Sequence, residues 1–214
     1  MTNIIDCDQG SEAWFAARLG KVSASRVADV VAKTKTGWGA SRANYAADLI
    51  AERLTGVKAE SYSNAAMQWG TDNEPAARKA YEFMAGNGVM TVGIVLHPSI
   101  SMSCASPDGL VGDDGLVEIK CPNTATHLET LLGAPVADKY VKQMNWQMAC
   151  AGRAWCDFVS FDPRLPGEMS LHITRIARDD ALIKSLEADV SVFLSEIADK
   201  VARLKSLYML EAAE

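Results

Sequence analysis

Two short runs of strand-forming residues, separated by the turn signal Gly112-Asp113-Asp114-Gly115, constrain this chain more than any other stretch. Upstream, residues 101–106 are small and half apolar and lead into Ser106-Pro107-Asp108-Gly109-Leu110. Downstream stands Leu116-Val117-Glu118-Ile119-Lys120-Cys121-Pro122. A Gly- and Asp-rich turn between two such runs predicts a β-hairpin. Side chains alternate along a strand, so Glu118 and Lys120 share one face and Val117 and Ile119 the other. With Asp108 ending the first strand on the Glu118 face, two carboxylates and an ammonium converge on a small volume. Hard oxygen donors of this kind suit Mg²⁺ or Mn²⁺, and Mg²⁺ takes one or two carboxylates with water and phosphate around it. Taken alone, a Glu-x-Lys triplet also serves as a cross-strand ion pair, and Pro-Asp-Gly as an ordinary turn. An Asp-Gly followed ten residues later by Glu-x-Lys is more specific, and points to phosphodiester hydrolysis.

Composition sets the outer limits. With 214 residues, 49% of them apolar, the chain holds enough core for one sizeable α/β domain. It carries no run of about eighteen apolar residues, so no membrane-spanning segment is expected. Residues 1–8 lack the basic-then-apolar order of a signal peptide. Cys7, Cys104, Cys121, Cys150 and Cys156 are scattered, with no Cys-x-x-Cys. Reduced thiols and a cytoplasmic location follow, rather than disulfides or a zinc site. His97, His127 and His172 are isolated and read as core or surface residues. A net charge of −6 argues against a nucleic-acid coat protein. Between Arg18 and Lys35, however, Arg18, Lys21, Arg26, Lys33 and Lys35 face only Asp29, a local excess that suits a phosphate backbone.

Periodicity orders the rest. Residues 11–18 predict a short helix capped by Ser11, and residues 26–33 a second with Ser23 or Ser25 as cap. Residues 33–39 read as a basic and aromatic loop, and 41–55 as an amphipathic helix closed by Gly56. Residues 61–68 form a polar connection, and a helix then starts at Trp69, with Thr71-x-x-Glu74 as its capping box, and runs to about Ala85. Residues 89–96 predict a strand, 124–132 and 135–150 helices, and 155–161 and 169–175 two more strands. From residue 179 to 208, Leu182, Leu186, Val190, Phe193, Ile197, Val201, Leu204 and Tyr208 keep helical spacing. The economical reading is a single domain. N-terminal helices occupy about 11–86, a mixed central sheet flanked by helices about 89–175, and a long C-terminal helix about 179–208.

Taken together, the motifs resemble the phage lambda exonuclease family, the YqaJ-type viral recombinases of the PD-(D/E)xK nuclease superfamily. The likeness runs in order through Gln9-Gly10-Ser11-x-x-Trp14, Arg18-Leu19-Gly20-x-x-Ser23-Ala24-Ser25 and Trp69-Gly70-x-x-x-Glu74. It continues through Cys104-x-Ser106-Pro107-Asp108-Gly109-Leu110, Glu118-Ile119-Lys120-Cys121-Pro122, Gln143 and Phe161-Asp162-Pro163-Arg164. The resemblance implies a restriction-endonuclease-like core. It implies that Asp108, Glu118 and the main-chain carbonyl of Ile119 bind Mg²⁺, with Mn²⁺ as substitute, and that Glu74 lies at the edge of that site. Lys120 then positions or deprotonates the attacking water, and Gln143 helps hold the lysine and the scissile phosphate. Arg18, Ser25 and Ser106 correspond to a pocket for the 5′-phosphate, Lys35 to a basic residue reaching into the duplex, and Met67 to an apolar wedge at the terminal base pair.

The activity so implied is processive 5′→3′ digestion of double-stranded DNA from its ends. Mononucleotides are released and 3′ single strands are left for the single-strand annealing protein of a phage-type recombination system. Similar family members form ring-shaped homotrimers threaded by DNA. Two other readings stand beside it: a PD-(D/E)xK endonuclease, which needs no free end, and a DNA-end-binding recombination module without catalysis.

Overall fold

The computed structural model describes residues 4–59 and 64–209. In chain order its elements are β1 (Ile4–Ile5), α1 (Glu12–Arg18), β2 (Val22–Ser23), a 3₁₀ turn (Ala24–Arg26), α2 (Val27–Val30), β3 (Lys33–Thr34), β4 (Gly37–Trp38) and α3 (Ala40–Thr55). They continue with α4 (Ala65–Ala85), β5 (Val89–Met90), β6 (Ile94–Leu96), β7 (Ser103–Ala105), β8 (Gly109–Val111) and β9 (Gly115–Lys120). Last come α5 (Thr124–Leu131), α6 (Asp138–Ala151), β10 (Trp155–Phe161), β11 (Leu171–Ala177) and α7 (Asp180–Tyr208).

The local signals that worked are those with a single physical cause. Ser11 Oγ accepts from the Trp14 N–H at 3.2 Å and starts α1. Gly56 closes α3 in the left-handed conformation that glycine adopts without penalty. Asp179 caps α7 by accepting from the Ala181 and Leu182 N–H groups. The apolar stripe of α7 is buried at Leu186, Val190, Phe193 and Ile197 and half-buried at Leu182 and Val201. It does not stay covered to the end, since Leu204 and Tyr208 are exposed.

A mixed five-stranded sheet, β11-β10-β9-β8-β5, forms the centre. Within it β9 and β10 run parallel, joined by a crossover through α5 and α6, and the other neighbours are antiparallel. Helices cover both faces. On one side Met144, Trp146 and Met148 of α6 pack with Leu116, Phe158 and Phe193. On the other, Ala77 and Tyr81 of α4 meet Val117, Ile119, Val159 and Phe161. A second sheet, β1-β6-β7-β2, and the small hairpin β3-β4 complete the fold.

The second sheet accounts for several departures from the sequence reading. Residues 101–106 are not the first arm of the hairpin, because β7 pairs with β2 and β6 in the four-stranded sheet. The strand that turns back into β9 is β8, which begins at Gly109. The single strand expected over 89–96 is likewise two, β5 and β6, one in each sheet. The helix expected over 26–33 is a 3₁₀ turn followed by α2, and the loop over 33–39 contains the β3-β4 hairpin. The capping box at Thr71 is also absent. Asn64 Oδ1 accepts from the Met67 N–H at 2.9 Å and starts α4 earlier, while Thr71 Oγ1 donates to the Met67 carbonyl inside the helix. Residues 61–63, the first part of the expected polar connection, lie outside the described residues.

Gly109 is a strand residue rather than a turn residue, and its backbone is not left-handed. Its reason is space: a Cβ there would lie 2.0 Å from Val89 Cγ1 and 3.3 Å from Val117 Cγ1. Gly109→Ala is expected to destabilise the fold by about 1–3 kcal/mol through overpacking. The measurement is urea unfolding, with a lowered midpoint at unchanged slope; an unchanged midpoint removes this explanation.

Candidate active site

β9 carries the pattern through the centre of the molecule. Its alternation sends Val117 and Ile119 towards α4 and Glu118 towards α6. Glu118 is only 1% exposed, and burying a carboxylate is costly unless its oxygens are filled by donors. Three side chains supply donors to them. Oε1 accepts from Lys120 Nζ and from Gln143 Nε2 at 2.6 Å, and Oε2 accepts from Gln147 Nε2 at 2.6 Å. Lys120 sits where β9 leaves the core, with its ammonium 5.4 Å from the centre of the Tyr140 ring. Burial pulls its pKa down, but Glu118 and Asp108 outweigh that and raise it, so it stays charged.

Asp108 lies on the three-residue link between β7 in one sheet and β8 in the other. Pairing between β8 and β9 begins at Gly109 opposite Val117, which leaves the Ile119 N–H beyond the end of β8. Asp108 Oδ2 accepts it at 2.6 Å. The Asp108 carboxyl is held well above the usual carboxylate range by burial, then by Glu118 and more weakly by Glu74. Lys120 and the Ile119 N–H oppose the shift without cancelling it. Glu74 comes from α4, on the other side of the sheet, and is paired with Arg78 one turn on.

This donor set fits a divalent cation. Asp108 and Glu118 bring more negative charge than Lys120 neutralises, while Glu74 is paired with Arg78; burial first, and then that neighbouring charge, raises Asp108. Among the described residues no three His, Cys, Asp or Glu side chains converge as a metal cluster. A cation here would take carboxylate oxygens and complete its shell with water, in keeping with Mg²⁺ preferences.

A second group assembles beside the link. Arg18 stands at the end of α1, Ser25 in the 3₁₀ turn, and Ser106 two residues before Asp108. Ser106 Oγ accepts from Trp14 Nε1 at 3.0 Å and from Arg18 Nη1 at 3.4 Å. The guanidinium lies 4.0 Å from the centre of the Trp14 ring. Ser25 and Ser23 hydroxyls are 3.2 Å apart. Arg18, Ser25 and Met67 line one cavity of about 570 Å³, with Met67 exposed on α4. Lys35, at the exposed tip of the β3-β4 hairpin, lines neither that cavity nor the carboxylate cluster.

Two residues here were not singled out as site residues from the sequence. Trp14 was read only as part of a motif, and its bond to Ser106 depends on a contact 92 residues away. Gln147 is a polar residue within 144–151, where every residue is buried, and its bond to Glu118 spans 29 residues. His97 and His127 are core residues: His127 bridges Ser160 and the Met169 carbonyl, and His97 stacks on Trp146. All five cysteines are free. Among the described residues no helix is long and apolar enough to cross a membrane.

A buried acid-and-lysine cluster on a mixed sheet, with a cationic pocket beside it, defines a nuclease-like class of site. The chain belongs to the YqaJ-like viral recombinase domain family, whose model matches residues 13–154. It is similar to an alkaline exonuclease, LHK-Exo, from Laribacter hongkongensis. Identity is 56%, coverage is 92% of this chain and 97% of that one, and the TM-score is 0.85. The same exonuclease in complex with dAMP matches at 57% identity and a TM-score of 0.86, with the same coverage. A phage related exonuclease from Haemophilus somnus 129PT shares the fold at 17% identity, covering 86% of this chain and 96% of that one, with a TM-score of 0.68. No curated protein sequence matches the chain.

Proposed function

We propose that this chain is a Mg²⁺-dependent exonuclease that digests double-stranded DNA in the 5′→3′ direction for phage-type recombination. Its family and its likeness to an alkaline exonuclease support the nuclease class. The observation that carries the direction is the Ser106-Pro107-Asp108 link. Ser106, which accepts a hydrogen bond from the cavity-lining Arg18, stands two positions before Asp108 in the chain. Gln9 Nε2 pins the link by donating to the Pro107 carbonyl at 2.9 Å and to the Val92 carbonyl at 3.0 Å. A 5′-phosphate gripped by Arg18, Ser25 and Ser106 would thus sit at a set distance from the cluster, and the first phosphodiester would be registered for cleavage.

Asp108, Glu118 and the Ile119 carbonyl would hold the cation, with Glu74 at its edge. Bound there, Mg²⁺ or Mn²⁺ supplies Lewis-acid stabilisation of the charge developing on the phosphate and lowers the pKa of water. Lys120, charged and paired with Glu118, donates hydrogen bonds that orient the attacking water or the scissile phosphate. Gln143 holds Glu118 by donating to its Oε1 at 2.6 Å. Each cut creates a new 5′-phosphate, and its attraction to the pocket favours advance. Assembly as a ring-shaped homotrimer and cooperation with an annealing protein belong to the same reading. Light scattering that gives a monomer at micromolar concentration removes the ring.

The test is digestion of a linear duplex labelled at either end, with and without Mg²⁺. Label at the 5′ end is expected to be released first, and only with the metal. Asp108→Ala and Glu118→Ala should each lose more than the roughly 100-fold typical of outer partners of a metal site. Near-parental digestion by either variant rejects the site. Ends carrying a 5′-phosphate should be preferred over 5′-hydroxyl ends, and Arg18→Ala should reduce that preference by about 10–100-fold, the worth of a charged hydrogen bond. An unchanged preference in Arg18→Ala rejects the pocket.

A further inference from the structure

The two amides on Glu118 are not equivalent. An ionised carboxylate offers about four acceptor positions, two on each oxygen. On Oε1 both are used, by Lys120 and Gln143; on Oε2 only one is used, by Gln147. With Glu118 1% exposed, bulk water does not supply a further donor. The last torsion of a Glu side chain is broad and nearly two-fold, so nothing intrinsic fixes the plane of the carboxylate. Lys120 and Gln143 both pull on Oε1 and leave the group free to pivot about that oxygen. Only Gln147 holds Oε2.

We infer that Gln147 is a positioning residue for Glu118, and that it turns the one open position of Oε2 towards the cation the site takes. This rests on the metal-dependent reading above. Gln147 is itself 0% exposed, and its own Oε1 is buried with no hydrogen-bond partner. An unpaired buried acceptor is a cost to the fold. A glutamine kept for stability would have both ends of its amide satisfied, whereas this one satisfies only the end that faces the carboxylate. Its placement fits the role, since Gln143 and Gln147 are one turn apart on α6 and reach the two oxygens of the same group.

The test uses the full chain with Mn²⁺ alone, without DNA. Parent, Gln147→Met and Gln147→Asn are titrated by calorimetry, and their thermal unfolding is followed in EDTA. Met keeps the volume and removes the donor; Asn keeps the amide but falls one methylene short, and provides a second variant if Met disturbs the fold. Both are expected to bind Mn²⁺ about 10–100-fold more weakly than the parent, the usual effect of an outer-shell partner. The Mg²⁺ concentration for half-maximal digestion should rise by the same factor, with activity recovered at high Mg²⁺. A merely structural role would lower the melting temperature and leave the Mn²⁺ affinity of the folded protein unchanged. Variants that bind Mn²⁺ as the parent does overturn the inference while leaving the metal site standing. A parent that binds no Mn²⁺ overturns both.

Discussion

Supplying hydrogen-bond donors to the Glu118 carboxylate inside the protein is the demand on which one whole side of the structure depends. A lone buried carboxylate would take up a proton, and a buried ion pair is tolerated only when the remaining acceptor positions are filled. Lys120 lies on the same strand face, but the amides must come from elsewhere, and α6 brings them. The same helix reaches the other sheet. Trp146 Nε1 donates to Ser103 Oγ of β7 at 3.0 Å, and Ser103 Oγ donates to the Val22 carbonyl of β2 at 3.0 Å. α6 therefore holds β9 through its glutamines and β7 through its tryptophan. The link bearing Ser106 and Asp108 crosses between those two sheets, from β7 to β8. The electrostatic need of one residue and the alignment of two sheets are met by one helix.

That seam also explains why the pocket and the carboxylates sit together without a long loop between them. The pocket residues belong to α1 and the 3₁₀ turn, which precede the second sheet's inner strands, and the carboxylates belong to the five-stranded sheet. Ser106 is shared ground: its oxygen takes hydrogen bonds from Trp14 and Arg18, and its chain continues directly into Asp108. Gly109 then lets β8 approach Val89 more closely than any side chain would allow. Small residues at the crossing thus follow from crowding rather than from turn geometry.

What the sequence disclosed depended on range. The bounds of β10, residues 155–161, could be read directly from a β-rich run ended by Asp162-Pro163. The start of α7 at Asp179, and the facing of Glu118 against Val117 and Ile119, were equally local and legible. The partition of strands between two sheets was not, because β7 and β8 read as one run and only pairing with β2 or β9 separates them. Thr71 failed as a cap for a related reason. The motif is real in composition, but Asn64 starts the helix two turns earlier and leaves Thr71 in its interior. Asp108, Glu118 and Lys120 were legible together because they fall within a short stretch of chain, whereas Glu74 comes from α4. Gln147 was not, since its value lies in a hydrogen bond across 29 residues.

Charge shows the same contrast between composition and geometry. The basic stretch from Arg18 to Lys35 suggested a continuous track, yet its members are spent differently. Arg26 is paired with Asp29 at 2.5 Å and lies 3.6 Å from Asp48. Lys33 sits over Trp38, and Lys35 is at a hairpin tip away from the pocket. Arg18, Lys21 and Arg26 line the cavity, and of these Arg26 is already engaged by Asp29. With a net charge of −6, the molecule as a whole repels a polyanion, and sequence-independent affinity for duplex DNA needs many neutralised phosphates. A single chain so built gains little from gripping the middle of a duplex. On the proposed function it would gain most where one terminal phosphate, carrying more charge than an internal diester, meets the Arg18 guanidinium, which lies over Trp14 and donates to Ser106. On that proposal, preference for an end over an internal site would follow from where the positive charge is kept, rather than from how much of it there is.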